Sequence, residues 1–225
     1  MRTKALLMAA AALAAGIATS NAQVYSQNVV GYVSVNLTNG ENLIANPMDL
    51  DGTGTNNTLQ SVFGTNLPNT TKVYVFTSGG WQSASYVASS GKWLGSAIIT
   101  NEVNAALNPG YGVFVDVPGS SGTSITLSEV GNVLNGPVTN NIAAGVTVLS
   151  GILPIGGTID TNNGYVPSKG DKVYTWNVAA QNYGATVPNY TGSKWLGGDP
   201  VLTPGVAVFV SAASNTVWGV NFTNN

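Results

Sequence analysis

Apolar and polar residues alternate along most of this chain with the two-residue period of strands that bury one face. Val29, Val33, Val35 and Leu37 share one side of an early strand. Ile125 and Leu127 alternate with Thr126 and Ser128, and Trp218, Val220 and Phe222 alternate near the end. Largely apolar runs at 43–45, 73–76 and 113–117 read as more deeply buried strands. Between them lie clusters of Gly, Asn, Pro and Ser, which supply turn dihedrals and stop helices. Helical signals are few. Asn57 predicts a cap for one or two turns over 58–63 with Gly64 as left-handed terminator, and 97–107 carries a second candidate turn. The pattern predicts an all-β protein.

The strands are grouped by repetition. KVYVF at 72–76 returns as KVYTW at 172–176, KWLG at 92–95 returns at 194–197, and PGYGVFV at 109–115 returns as PGVAVFV at 204–210. Matched blocks in the same order, displaced by about 100 residues, predict a tandem duplication of a domain-sized unit. A further echo, VVGYV at 29–33 against EVGNV at 129–133, divides the chain into a first β module at 23–128 and a second at 129–225. No Pro- or Ser-rich linker separates them, so the modules are expected to abut. The expected fold is two tandem homologous β-sandwich or small barrel modules, with a single large sandwich as the alternative. An outer-membrane barrel fits less well, because regular segments of about 10 residues are too few.

Composition adds location and excludes chemistries. Arg2 and Lys4, an apolar stretch at 5–17 and small residues up to Ala22 have the layout of an export signal, expected over 1–22 and cleaved after Ala22. The mature chain would then be secreted or held at the cell surface with no transmembrane helix. Charged residues are 7% of the chain, against about 25% in an ordinary soluble domain. Beyond the signal the only cations are Lys72, Lys92, Lys169, Lys172 and Lys194. No basic stripe exists to neutralise phosphates, which argues against nucleic acid as a partner. Cysteine is absent, so the core must hold without disulfides.

With these residues in view, the chain resembles a loosely defined group of uncharacterised secreted bacterial β-rich proteins. The likeness rests on QNVVGY at 27–32, NLIANP at 42–47 and the PGxGxFV block at 109–115. The second half departs from it, with LSGILP at 149–154 where the first has LIANP. The resemblance implies a bacterial source, export and a β fold, and carries no activity.

Candidate chemistry is narrowed further by the absence of histidine as well as cysteine, which removes Ser–His–Asp catalysis, thiol nucleophiles and His-rich zinc sites. A Ser–Lys pair at Ser89 and Lys92 is weakened because Lys92 recurs as Lys194 with Thr191 in place of the serine. Glycoside hydrolysis needs two carboxylates across a cleft, and none of the carboxylates lies in a repeated block. The 49–57 loop, DLDGTGTNN, offers Asp49, Asp51 and Asn56 as hard oxygen ligands for calcium, but lacks EF-hand spacing and reads as a turn. No enzyme, metal or cofactor is expected. The remaining constellation is aromatic. Trp81 and Tyr86 near a hairpin, with Trp93 and Trp195 of the repeated KWLG, are the candidate ligand-binding residues, because flat rings beside Asn and Ser stack on sugar faces. The duplicated Trp93 and Trp195 read more readily as core, which leaves Trp81, whose nearest counterpart is Tyr183. The expectation is a non-enzymatic structural or adhesive protein, alternatively a carbohydrate-binding module. Its partners would be extracellular polysaccharide, other surface proteins or copies of itself.

Overall fold

A computed structural model describes residues 29–50, 57–77, 79–95, 107–119 and 124–223. The expected signal, the Asp51 and Asn56 positions and residues 97–106 lie outside these. The first part of the chain contributes β1 (Val30–Leu37), β2 (Gly40–Ala45), a short helix α1 (Leu59–Phe63), β3 (Lys72–Thr77), β4 (Gly80–Val87), β5 (Lys92–Gly95), β6 (Gly112–Val117) and β7 (Ile125–Asn132). There follow β8 (Gly136–Ile142), β9 (Gly145–Leu149), β10 (Gly157–Thr158), β11 (Lys172–Tyr174), β12 (Trp176–Asn177), β13 (Asn182–Tyr183), β14 (Asn189–Tyr190), β15 (Trp195–Leu196), β16 (Val201–Leu202), β17 (Val208–Ala212) and β18 (Thr216–Phe222). The protein is all-β, built from antiparallel sheets.

Two five-stranded sheets dominate, in the orders β2-β6-β3-β4-β5 and β9-β17-β11-β14-β15. The repeated blocks occupy the same places in both: KVY in β3 and β11, KWL in β5 and β15, VFV in β6 and β17. Each sheet has free ends and none closes, so the small-barrel form expected from the turn spacing is replaced by open sheets. Four two-stranded ladders complete the fold, the long pairs β1 with β7 and β8 with β18 and the short pairs β10 with β16 and β12 with β13. The ladder β1–β7 runs unbroken through Ser128 and Glu129, where the echo divided the chain. Val30 lies opposite Asn132 and Val33 opposite Glu129, so the echoed segments VVGYV and EVGNV are partners in one ladder.

Strand alternation sends side chains to two sides of each large sheet. On one side of the first sheet, Ile44, Val73, Val75, Val113 and Val115 pack beneath Leu37 and Leu127 of the ladder and Leu59, Val62 and Phe63 of α1. Thr58 caps that helix: its hydroxyl accepts from the Ser61 N–H at 3.1 Å, while Ser61 Oγ accepts from the Thr58 N–H at 2.8 Å. The cap thus falls one residue after the expected Asn57, whose amide is engaged elsewhere, accepting from Leu50 N–H and donating to Asn108. The second sheet has the corresponding core, with Leu149, Val173, Val208 and Val210 under Ile142 and Trp218 of the β8–β18 ladder.

The opposite faces of the two sheets meet in a third core. Leu43, Ala45 and Phe114 pack on Val148, Ala207 and Phe209, with Tyr74, Phe76, Tyr174 and Trp176 around them. Main-chain bonds cross this seam three times: the Ala207 N–H donates to the Leu43 carbonyl at 3.3 Å, and two others form a matching pair. The Ala45 N–H donates to the Gly205 carbonyl and the Ser150 N–H to the Gly110 carbonyl, both at 3.0 Å. Gly205 and Gly110 have φ of 78° and 94°, which glycine adopts without the Cβ clash of other residues. The seam is closest at Gly112, where an added Cβ would stand 2.2 Å from Ala207 Cβ and 2.9 Å from Val148 Cγ1. Glycine there lets the sheets touch.

Gly112→Ala is therefore expected to destabilise the protein by about 1–3 kcal/mol through overpacking. Gly119→Ala, where the added Cβ meets nothing within 4 Å, should stay within about 0.5 kcal/mol of the parent. Urea unfolding midpoints of the two variants test this, and equal midpoints would refute it.

Candidate functional site

The aromatic side of the seam opens to solvent as a cleft. On β3, Tyr74 and Phe76 point into it, because Val73 and Val75 between them point into the first core. Tyr174 and Trp176 do the same for the second sheet, and Phe114 and Phe209 stand at its floor, their centroids 5.7 Å apart. Trp81 sits opposite Phe76 across the β3–β4 ladder, 5.0 Å between centroids, and Tyr183 sits opposite Trp176 across β12–β13 at 5.2 Å. Both contacts are edge-to-face, the arrangement ring quadrupoles favour. Trp81 also reaches across the seam to Phe209 at 6.1 Å, and Trp176 reaches Phe114 at 4.9 Å.

Trp81 and Tyr183 remain 44% and 47% exposed, so both offer ring surface to a ligand. They stand between two pockets. One, of about 460 Å³, is lined by Glu41, Tyr74, Trp81, Phe114, Trp176 and Tyr183. The other, of about 410 Å³, is lined by Phe76, Trp81, Val146, Tyr174, Tyr183 and Phe209. The two lining sets correspond position for position: Tyr74 with Tyr174, Phe114 with Phe209, Trp176 with Phe76, Trp81 with Tyr183, and Glu41 with Val146. The Glu41 main chain is held by two side chains, those of Trp176 on β12 and Gln181 in the β12–β13 turn. Its carbonyl accepts from Trp176 Nε1–H at 2.8 Å and Gln181 Nε2–H at 3.1 Å, and its N–H donates to Gln181 Oε1 at 2.7 Å. Burial raises the Tyr183 phenol above its ordinary value, and the Glu41 carboxylate raises it further.

Of the four residues singled out from sequence, Trp81 alone lines this cleft. Tyr86 is 1% exposed in the first core, where its hydroxyl donates to the Thr65 carbonyl at 2.8 Å. Trp93 packs on it at 5.3 Å between centroids, and in the second core Tyr190 and Trp195 repeat the contact at 5.2 Å. Trp195 Nε1–H donates to Asp160 Oδ2 at 3.2 Å. Tyr86, Trp93 and Trp195 thus lie in the cores, as the duplication suggested for the two tryptophans, because the alternation of β4, β5 and β15 turns them inward. Tyr183, the nearest counterpart of Trp81 in the sequence, takes the equivalent place in the cleft. It lies seven residues after Trp176, and Trp81 five after Phe76, so the second hairpin has the longer turn.

The remaining polar candidates are elsewhere. Asp49 is buried, its main chain doubly bonded to Asn132 at 2.9 and 2.7 Å, and no group of three or more metal-ligating side chains occurs among the described residues. Glu41 and Asp116 are direct cross-strand neighbours on one wall of the cleft, with Lys72 opposite Asp116. That differs from the two carboxylates flanking a scissile bond that glycoside hydrolysis uses. Asp171 is buried but accepts from Tyr165 Oη–H, Ser168 N–H and Ala213 N–H at 2.7–2.8 Å. Glu129 is the contrasting case: it is 2% exposed, on the inward face of β7, and neither carboxylate oxygen has a hydrogen-bond partner. Burial pushes its carboxyl up to about 8.

No family model matches the chain, and neither does any curated protein or solved structure.

The raised Glu129 pKa dictates a pH dependence. Between the ordinary carboxylate value of 4.5 and about 8, the unfolded chain ionises while the folded chain keeps its proton, so stability falls as pH rises, roughly tenfold in the folding equilibrium per unit. Glu129→Gln is expected to flatten this slope, raising Tm at pH 8 and leaving it near the parent at pH 4. Thermal melts across that range test it; parallel curves for parent and variant would refute it.

Proposed function

We propose that this is an exported, non-enzymatic adhesive protein, two copies of one β unit, which holds carbohydrate in the aromatic cleft between its two large sheets. The duplication is supported by the repeated blocks at matching places in both sheets and by the paired main-chain bonds across the seam. Export is supported by the charged, apolar and small-residue succession of the first 22 residues. The observation that carries the binding reading is the pair Trp81 and Tyr183, each nearly half exposed and each lining both pockets.

Solvent-exposed rings cost little here because each is fixed on a strand and wedged against a second ring. A sugar has apolar C–H faces between hydroxyls, so it gains by stacking on such rings while its hydroxyls stay in water or meet the phenols of Tyr74 and Tyr174. The low charge of the chain suits a ligand that is gripped by stacking and hydrogen bonds. The adhesive role follows from the two pockets lying side by side in one cleft, which can engage successive residues of one chain with more avidity than either alone.

Titration with a panel of soluble polysaccharides, read by tryptophan fluorescence, is expected to give saturable changes. Trp81→Ala and Tyr183→Ala are each expected to weaken binding by about 1–2 kcal/mol, the scale of a lost aromatic contact, with folding intact because neither ring is core. Affinity unchanged in both variants, or no response to any polysaccharide, would refute the reading. Release of reducing ends during the titration would instead indicate hydrolysis.

A further inference from the structure

The two pockets share one aromatic frame but not one charge. Register places Glu41 opposite Asp116 and Asp116 opposite Lys72 on the cleft face of the first sheet. At the matching positions of the second sheet stand Val146, Ser211 and Lys172. The first row carries two carboxylates and one ammonium; the second carries an ammonium alone. Strand pairing and ring packing are conserved between the sheets, so this difference is not required by the fold. It bears on what each pocket accepts.

Of these carboxylates, Glu41 lines the first pocket. Glu41 stands with five rings, those of Tyr74, Trp81, Phe114, Trp176 and Tyr183, around about 460 Å³. Ring faces attract cations through their quadrupoles, and a carboxylate beside them adds a full negative charge. A metal ion would need several oxygen ligands, which a single carboxylate among rings does not provide. A primary ammonium has three N–H donors to satisfy, and the rings accept none of them well. A methylated ammonium has no such demand, is weakly hydrated, and presents C–H groups to every ring. The side-chain bonds from Trp176 and Gln181 fix the Glu41 main chain, so the carboxylate is carried on an anchored backbone at the edge of the rings.

We propose that the Glu41 pocket binds the methylated ammonium group of a soluble ligand, seated against the five rings that line it and neutralised by the Glu41 carboxylate, while the Val146 pocket takes uncharged surface. The proposal rests on the reading of the cleft as a ligand seat and specifies the chemistry of one end of it.

The test titrates the full chain with choline chloride and with dimethylbutanol, its uncharged carbon isostere, against a sodium chloride control, following tryptophan fluorescence. Choline is expected to give a saturable change, with the isostere weaker by about tenfold. Glu41→Gln is expected to weaken choline by about tenfold and to leave the isostere unchanged; it keeps the main-chain bonds, so the variant folds. Equal affinity for choline and the isostere, or no choline response, would overturn the proposal. Polysaccharide binding that persists in Glu41→Gln and is lost in Trp81→Ala separates the two readings: the cleft would then bind sugar whatever the choline result. Phosphatidylcholine vesicles are expected not to sediment the protein, and sedimentation abolished by choline would overturn the assignment to a soluble ligand.

Discussion

The close approach of two sheet faces at Gly112 and Ala207 is the constraint on which the rest of the structure depends. Two sheets packed through large side chains stand about 10 Å apart, and the main-chain bonds Ala45 to Gly205 and Ser150 to Gly110 would not form across such a gap. With a hydrogen and a methyl at the centre, backbones meet, and the large rings are displaced to the flank of the contact. There they stack on one another across the seam instead of filling it. The cleft is the consequence: it is the space left where tight packing by small residues gives way to rings too large to interdigitate fully.

Much of the fold was legible in the sequence because strand alternation and turn residues are local signals. β6 and β17 announce themselves by VFV after Pro–Gly, and Leu37 and Leu127 fall on the buried side their alternation predicts. The ladder β1–β7 was less legible. Its strands are joined by pairing across almost a hundred residues, and that the look-alike segments VVGYV and EVGNV lie opposite one another in it is not announced by their likeness. The cleft was the least legible part. Duplication already set Trp93 and Trp195 apart as core, but between Trp81 and Tyr86 only the direction of each side chain relative to a second sheet distinguishes a ring that plugs a core from one that walls a cleft. Tyr86 and Trp81 lie on the same strand five positions apart, an odd spacing that sends them to opposite faces.

The buried polar groups show how far each core tolerates charge. Asp171 is as buried as Glu129, yet it is ringed by donors from a turn and a tyrosine, so its lone pairs are occupied. Glu129 lies on the inward face of a ladder whose strands are paired with each other, its carboxylate oxygens have no hydrogen-bond partner, and burial pushes its carboxyl up to about 8. The corresponding inward position of the β8–β18 ladder is Val220, which removes the difficulty. Of the two ladders, the second therefore has the more ordinary core.

The ladders also decide where the molecule yields to tension. Val30 lies opposite Asn132, Gly136 lies opposite Phe222, and only residues 133–135 connect the two pairs. A pull applied at Val30 and Phe222 runs through these ladder tips and the short connection, and enters neither large sheet. Strand pairs loaded from their tips open one rung at a time, like a zipper, while the seam and the rings it holds stay outside the line of force. A ligand seated among those rings would be carried by a part of the molecule that the load bypasses.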